Sequence, residues 1–321
     1  MVATEVRISR LSNVSANHVV EPEAAFDWAA LGTGRLLPPE LSCIAGLDLD
    51  LSEQQRALLT REEVASMLTA GIRFEAVLDA VFSLEIADAR DLTDPRYTYM
   101  LHEVGEETRH QRAFIRLIEQ IQPQADNPLD GPIPRWIARH ASRLLMRQHA
   151  LFCVMLLAGE EIPDLLQKLA SEHPDTDPLV RAVNKYHRQE EARHLAFARL
   201  ELPERWANAG RVERLRVHHV APRLIKLLYA TMINPGVFEV VGLPAFETWK
   251  AMNRTPQRLA VRYHATRPIL ETLCDGGILR RGRIPKAWRE LCGVDRRGRP
   301  LANDPALPGS VGELHDHGRV V

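Results

Sequence analysis

The pentapeptide EETRH at 106–110 recurs as EEARH at 190–194, changed only in its middle residue. In each copy the second acid and the histidine stand three apart, Glu107 with His110 and Glu191 with His194. On an α-helix that spacing puts both side chains on one face. Helix bundles that hold two metal ions on carboxylates use this pattern: two helices each carry Glu-x-x-His, and two others each contribute one inward glutamate. The repeat therefore calls for four long helices, with the motif on alternate ones.

The chain supplies four candidates in order. Apolar residues at helical spacing (Val64, Met67, Leu68, Ile72, Val77, Val81, Leu84) predict a helix to about residue 89, with Thr60 and Glu63 as its capping box. Asp94 as N-cap and Pro95 at the first helical position open a second helix, which runs to about Ile121. A long third helix carries Trp136, Leu144, Leu145, Phe152 and Leu156, bends at Pro163 and fades near His173. The fourth runs from about Pro178 to Leu200. Further helices are predicted near 209–232, 245–253, 256–276 and 285–292, and no segment has a strand period, so the class is all-α. Residues 1–52 read as an irregular wrap, 53–293 as the helical domain and 294–321 as a polar, flexible tail.

Depth along neighbouring helices selects the lone acids. Glu107 lies 13 residues after Asp94, ~20 Å up its helix. On the first helix Glu75, 16 residues before Asp91, lies at comparable height, whereas Glu85 is only 6 residues before it. On the other hairpin Glu191 is 14 residues after Asp177, while Glu160 and Glu161 are 13 and 12 before His173, so depth leaves both open. The gap of 32 from Glu75 to Glu107 and of 31 from Glu160 to Glu191 favours Glu160, with Glu161 as the alternative.

Four glutamates buried together are costly unless their charge is compensated, and two divalent cations would do this. Carboxylate with imidazole suits iron and leaves coordination positions open. His187, four residues before Glu191 and seven before His194, adds a third imidazole to the same stripe. Glu106 with Arg109 and Glu190 with Arg193 are i,i+3 pairs. A ligating imidazole usually donates its other N–H to a carboxylate, so Glu106 and Glu190 are predicted to orient the histidines of the partner helix. Tyr97 and Tyr99 read as core or interface aromatics one to two turns before the ligands.

Composition excludes several classes. A formal net charge of −1 gives no global field to recruit nucleic acid or an anionic membrane. The longest apolar run, ALFCVMLLAG at 150–159, is shorter than the ~20 residues of a membrane helix. The start MVATEVRISRLSNV lacks a secretory h-region, so a cytoplasmic location is expected. Cys43, Cys153, Cys274 and Cys292 form no CxxC pair and are expected to be reduced and mostly buried. Arg280, Arg281, Arg283, Arg296, Arg297 and Arg299 read as a solvated surface stretch.

With these residues placed, the sequence resembles the ferritin-like di-iron oxygenases, whose oxygen-activating members carry motifs like EETRH and EEARH. More narrowly, Glu75, EETRH, Glu160 and HRQEEARH at 187–194 are similar to the arylamine N-oxygenase family typified by p-aminobenzoate N-oxygenase, marked by its extra histidine. The resemblance spans roughly residues 55–235. It implies a ferritin-like four-helix core with additional C-terminal helices, two iron ions, and O2 as co-substrate. The implied ligands are Glu75, Glu107, His110, Glu160, His187, Glu191 and His194. The implied substrate is a small aromatic amine oxidised toward a hydroxylamine or nitro product. No Rossmann fingerprint or Fe–S cysteine spacing appears, so electrons are expected from an external donor or reductase. Hydroxylation or desaturation of a carbon substrate, and non-catalytic iron binding, are the alternatives. A homodimer fits the class, although no seam in the sequence marks it.

Overall fold

The computed structural model describes residues 2–132, 136, 143, 145 and 147–308. The described residues form helices joined by loops, with no strand beyond an isolated bridge between Val294 and Pro300. The longer helices are α1 (Val2–Asn17), α2 (Glu53–Ala87), α3 (Pro95–Ile121), α4 (His149–Glu172), α5 (Pro178–Asn208), α6 (Arg211–His219), α7 (Ala221–Thr231), α8 (Ala245–Met252), α9 (Pro256–Asp275) and α10 (Lys286–Cys292). Helix α2 pairs with α3 and α4 with α5, giving the four-helix core. Helix α1 packs on α3 and α5, and α9 covers α4.

Local chemistry sets the helix starts. Asp94 accepts from Arg96 N with Pro95 at the first position of α3. Asp177 accepts from Leu179 N and Val180 N, and its other oxygen takes Gly32 N. Helix α2 begins eight residues before the predicted capping box, because Ser52 and Gln55 form the box. Thr60 and Glu63 instead anchor the N-terminal segment: Thr60 Oγ1 accepts from Leu36 N, and Glu63 accepts from Ser42 Oγ and Cys43 N.

Two further expectations are corrected. The first 52 residues are not irregular throughout, since Val2–Asn17 is helical and buries Ile8 in the main core. The third predicted helix is interrupted: residues 136, 143 and 145 are helical, the chain leaves the helix at Arg147–Gln148, and α4 restarts at His149. Glu213 of α6 accepts from Ala150 N and Leu151 N and so caps that restart from outside. Leu144 lies outside the described residues. Of residues 294–308, expected as part of a polar tail, Val294 is buried and Asp304 is bonded to Arg267 at 2.5 Å; residues 309–321 lie outside the described residues. Helices α4 and α5 continue through Pro163 and Pro203, and α5 ends eight residues beyond Leu200.

Two apolar plugs fill the four-helix core, and a third cluster gathers Leu59 with Ile233, Val237 and Phe238. Along α2, Val64, Ala65 and Leu68 belong to one cluster and Leu78, Val81 and Phe82 to the other. Along α3 the plugs are Tyr99 and Met100 at one end and Ala113, Phe114 and Leu117 at the other. Along α5 they are Leu179–Val183 and Leu195–Leu202. Glu75, Glu107, His110 and His187–His194 fall between the plugs, so the polar band is fixed by apolar packing on both sides. Helix α4 is buried on all sides from Ala150 to Ala158, as a helix covered by both the bundle and α9 must be. Cys43, Cys153 and Cys292 are buried free thiols, and Cys274 is partly exposed. No helix among the described residues is long and apolar enough to cross a membrane.

Candidate metal centre

Two groups of donor side chains meet in the polar band. Glu75, His110 and His187 bring one donor atom each within 4.8 Å of one another, and Glu107, Glu160, Glu191 and His194 do the same. All seven residues are buried. Glu161, one position along α4, turns out of the band and pairs with Arg199. A single residue step rotates a helical side chain by ~100°, so only one of the two acids can face inward.

The imidazoles are oriented from outside the band. His110 Nε2 lies 3.0 Å from Glu190 Oε2, while its Nδ1 lies 3.3 Å from both Glu107 and Glu191. His194 repeats the arrangement: Nε2 is 2.8 Å from Glu106, and Nδ1 is 2.9 Å from Glu191 and 3.1 Å from Glu107. Nε2–H donated to the outer glutamate leaves Nδ1 facing the carboxylates, open to a cation once its own proton is lost. His187 is turned the other way, with Nδ1 at 2.9 Å from Gln167 Oε1 and Nε2 at 3.2–3.3 Å from Glu191 and Glu75.

The arginines bridge helices rather than staying within their own. Arg193 Nη2 meets Glu106 at 2.6 Å and Glu190 at only 3.6 Å, and Arg109 Nη2 reaches Glu190 at 3.6 Å. No pair between Glu106 and Arg109 occurs among the described residues. Tyr186 donates its hydroxyl to Glu190 at 3.2 Å.

Burial and neighbouring charge set the protonation. Burial, reinforced by Glu107, pushes Glu75 well above the usual carboxylate range, and burial with the charge of Glu191 does the same to Glu160. Burial opposes ionisation of Glu191, but His194 and His187 outweigh it and hold it well below that range. Burial likewise opposes charge on His110 and His194, yet the surrounding carboxylates hold both well above the ordinary imidazole value. Burial lowers His187 to about 4. Without a cation, these directions favour protons on Glu75, Glu160, His110 and His194 as the balance for the buried charge. Two divalent cations would carry the same four positive charges, and ionised Glu75, Glu107, Glu160 and Glu191 would neutralise them. Glu75 Oε2 is buried without a hydrogen-bond partner, and Glu107 Oε1 and Glu191 Oε1 face only imidazole nitrogens at 3.1–3.3 Å, a condition expected of oxygens built for a cation. The donor set fits a pair of metal ions.

Several residues beside the band have no motif to announce them. Glu103, one turn before Glu107, is fully buried with neither oxygen bonded, and burial pushes it up to about 8. Tyr99 is buried against Phe197 with an unpartnered hydroxyl, whereas Tyr97 packs part-buried at the edge of the core. Gln167 stands seven positions after Glu160, a helical repeat that places it on the same side of α4 and was the only available signal.

A family model described as P-aminobenzoate N-oxygenase AurF matches residues 2–277. The chain belongs to this family. AurF-family membership makes it a relative of ferritin-like di-iron oxygenases, and the all-helical fold with buried Glu and His groups agrees with that. The chain is also similar, at 28% identity over 257 residues, to the uncharacterized proteins Mb0909 of Mycobacterium bovis and Rv0885 of Mycobacterium tuberculosis. These alignments cover 78% of this chain and 65% of each relative, so the chain spans just under two thirds of the curated relatives' length. No solved structure matches.

Proposed function

We propose that this protein is a non-haem di-iron oxygenase that N-oxygenates an aromatic amine toward the hydroxylamine or nitro level, in the cytoplasm, with electrons from a separate donor. The observation that carries the reading is His187, a third imidazole grouped with Glu75 and His110. Glu75, His110 and His187 would hold one iron, and Glu107, Glu160, Glu191 and His194 the other. When bound, iron supplies the binding and reduction of O2.

The protein's own groups prepare that site. Glu106 and Glu190 hold the Nε2 protons of His194 and His110 and keep Nδ1 free to ligate. Gln167 holds Nδ1 of His187, which leaves Nε2 facing Glu75 and Glu191. The apolar plugs exclude bulk water from both ends of the band. In the first oxygenation one O atom enters an N–H bond of the amine. The other leaves as water, taking two electrons from the external donor and two protons.

The test is a metal count combined with a screen of arylamines under O2 and a chemical reductant. Two irons per chain with hydroxylamine or nitro product is the expected result. Bound iron with oxidation only at carbon would replace N-oxygenation by hydroxylation.

A further inference from the structure

Apolar packing that keeps bulk water from the band also bars protons, whose charge cannot cross it without polar groups or water to carry it. The plug around Tyr99 and Phe197 is not apolar throughout. On α3, Arg96, Tyr99, Glu103 and Glu107 recur at steps of three or four residues, which puts them on one face. On α5, His194, Glu201 and Arg205 recur at steps of seven and four, with the small Ala198 between them. The two helices run antiparallel, since Glu106 meets His194 and Arg96 meets Glu201. Their faces therefore form one polar stripe from the metal band to the edge of the bundle. Arg96 and Glu107 are 11 residues apart, or ~16 Å at ~1.5 Å per residue. A cavity of about 210 Å³ reaches the band from the side of α2 and α4, where Glu75, Glu160 and His187 line it. Glu107 and His194 do not line that cavity and stand instead at the inner end of the stripe.

Glu103 sits mid-stripe and nothing satisfies it. It is fully buried, and neither oxygen has a hydrogen-bond partner among the described residues. One turn outward, Tyr99 Oη is buried and equally unpartnered, and so is Arg205 Nε. Burial raises the Tyr99 hydroxyl well above its ordinary value and the charge of Glu103 adds to the rise, as expected of neighbours. The α4 thiol of Cys153, which burial raises to about 12, lies among Arg205, Glu201, Glu85 and Glu103. At the inner end His194 is the charge that most opposes the burial-driven rise of Glu103. At the outer end Arg205 holds Glu201 at 3.0 Å and Glu85 at 2.7 Å, and Arg96 reaches the exposed Glu204 at 3.1 Å. Buried polar atoms without protein partners are satisfied in folded proteins by ordered water, which takes about two to four such partners. Glu103, Tyr99 and Arg205 offer them along one line.

We propose that this stripe is a proton path, lined by ordered water, between the outer ion pairs and the metal band, with Glu103 as its relay. Glu103 gives a proton from its carboxyl toward the band and is reprotonated from the Tyr99 side. No electron moves along the path. The inference rests on the oxygenase reading only for the use of the protons, two of which leave with the second atom of O2 as water. Glu103 is a relay residue and touches neither substrate nor metal.

The tests separate the path from the reaction. A crystal structure that resolves ordered water is expected to show water bonded to Glu103 and Tyr99. A stripe without water, in which Glu103 also lies out of reach of Tyr99, overturns the proposal. Proton release on Zn2+ uptake by the metal-free full-length protein, followed with a pH indicator, needs no O2. Glu103→Gln keeps the shape of a neutral carboxyl, so it should bind as much Zn2+ as the wild type while releasing protons several-fold more slowly. Glu103→Asp should recover part of the rate. With iron, a reductant, O2 and an arylamine, Glu103→Gln should turn over roughly a hundredfold more slowly, with a larger ratio of rates in H2O and D2O. Equal rates of wild type and Glu103→Gln in either assay overturn the proposal. So does a folded Glu103→Gln protein that loses metal, since Glu103 would then be a ligand. Glu103-dependent proton release in a protein that never consumes O2 would refute the oxygenase reading and leave the path standing.

Discussion

Glu190 and Glu106 show how much of the polar band depends on residues outside its two donor groups. Each takes the Nε2 proton of a histidine on the opposite helix, at 3.0 and 2.8 Å. Glu190→Gln keeps the shape but weakens the acceptor, so metal affinity should fall roughly ten- to a hundredfold. Competition with a chromophoric chelator measures this, and an unchanged affinity would remove Glu190 from the account. At this scale the grouping of side chains was readable where residue type and period coincide: the Glu-x-x-His copies, His187, and the inward turn of Glu160 rather than Glu161. It was silent on Glu103 and Gln167, because an isolated acid or amide in a helix has no partner in sequence to mark it. The crossed arginine pairs were also hidden, since contacts between helices depend on rotation and offset that i,i+3 spacing does not encode.

Among the elements, the close approach of α2 and α4 depends on Gly159. A Cβ there would collide with the Phe74 ring, which lines the same cavity as Glu75 and Glu160. Gly159→Ala should therefore destabilise the fold by ~1–3 kcal/mol, as overpacking does, and thermal unfolding measures it. Arg205 of α5 ties the far end of α2 to the bundle through Glu85 at 2.7 Å and Glu201 at 3.0 Å. Burial would raise Glu85, but bonds from His149 and Arg205 overcome it and hold it at about 2 against an ordinary 4.5. Its stabilising contribution is complete above pH 4.5 and fades as the pH falls toward 2. Glu85→Gln should flatten that acid limb in denaturant titrations run across this range. Arg205→Met should cost ~3–5 kcal/mol, because it removes the buried cation between Glu85 and Glu201 and leaves them only His149 and Arg96, each at 3.7 Å. Helix existence was legible from apolar period and from Asp94–Pro95 and Asp177–Pro178. The start of α2 was not, because Thr60 and Glu63 look like a capping box yet serve a tertiary contact. The break before α4 was equally invisible, since its cap comes from Glu213.

For the whole molecule, two apolar plugs enclose a band whose buried charge needs either protons or cations. Metal uptake should then release protons from Glu75, Glu160, His110 and His194, whose values lie raised. Calorimetry in buffers of different ionisation enthalpy measures that release, and affinity should weaken as the pH falls. Uptake without proton release would mean that other groups bind the metal. The most direct measurement is elemental analysis of the wild type and of Glu191→Ala after expression in iron-replete medium. The account predicts two irons per wild-type chain and a large loss in the folded variant; a folded wild type that holds no metal, or a variant that keeps both irons, would contradict it.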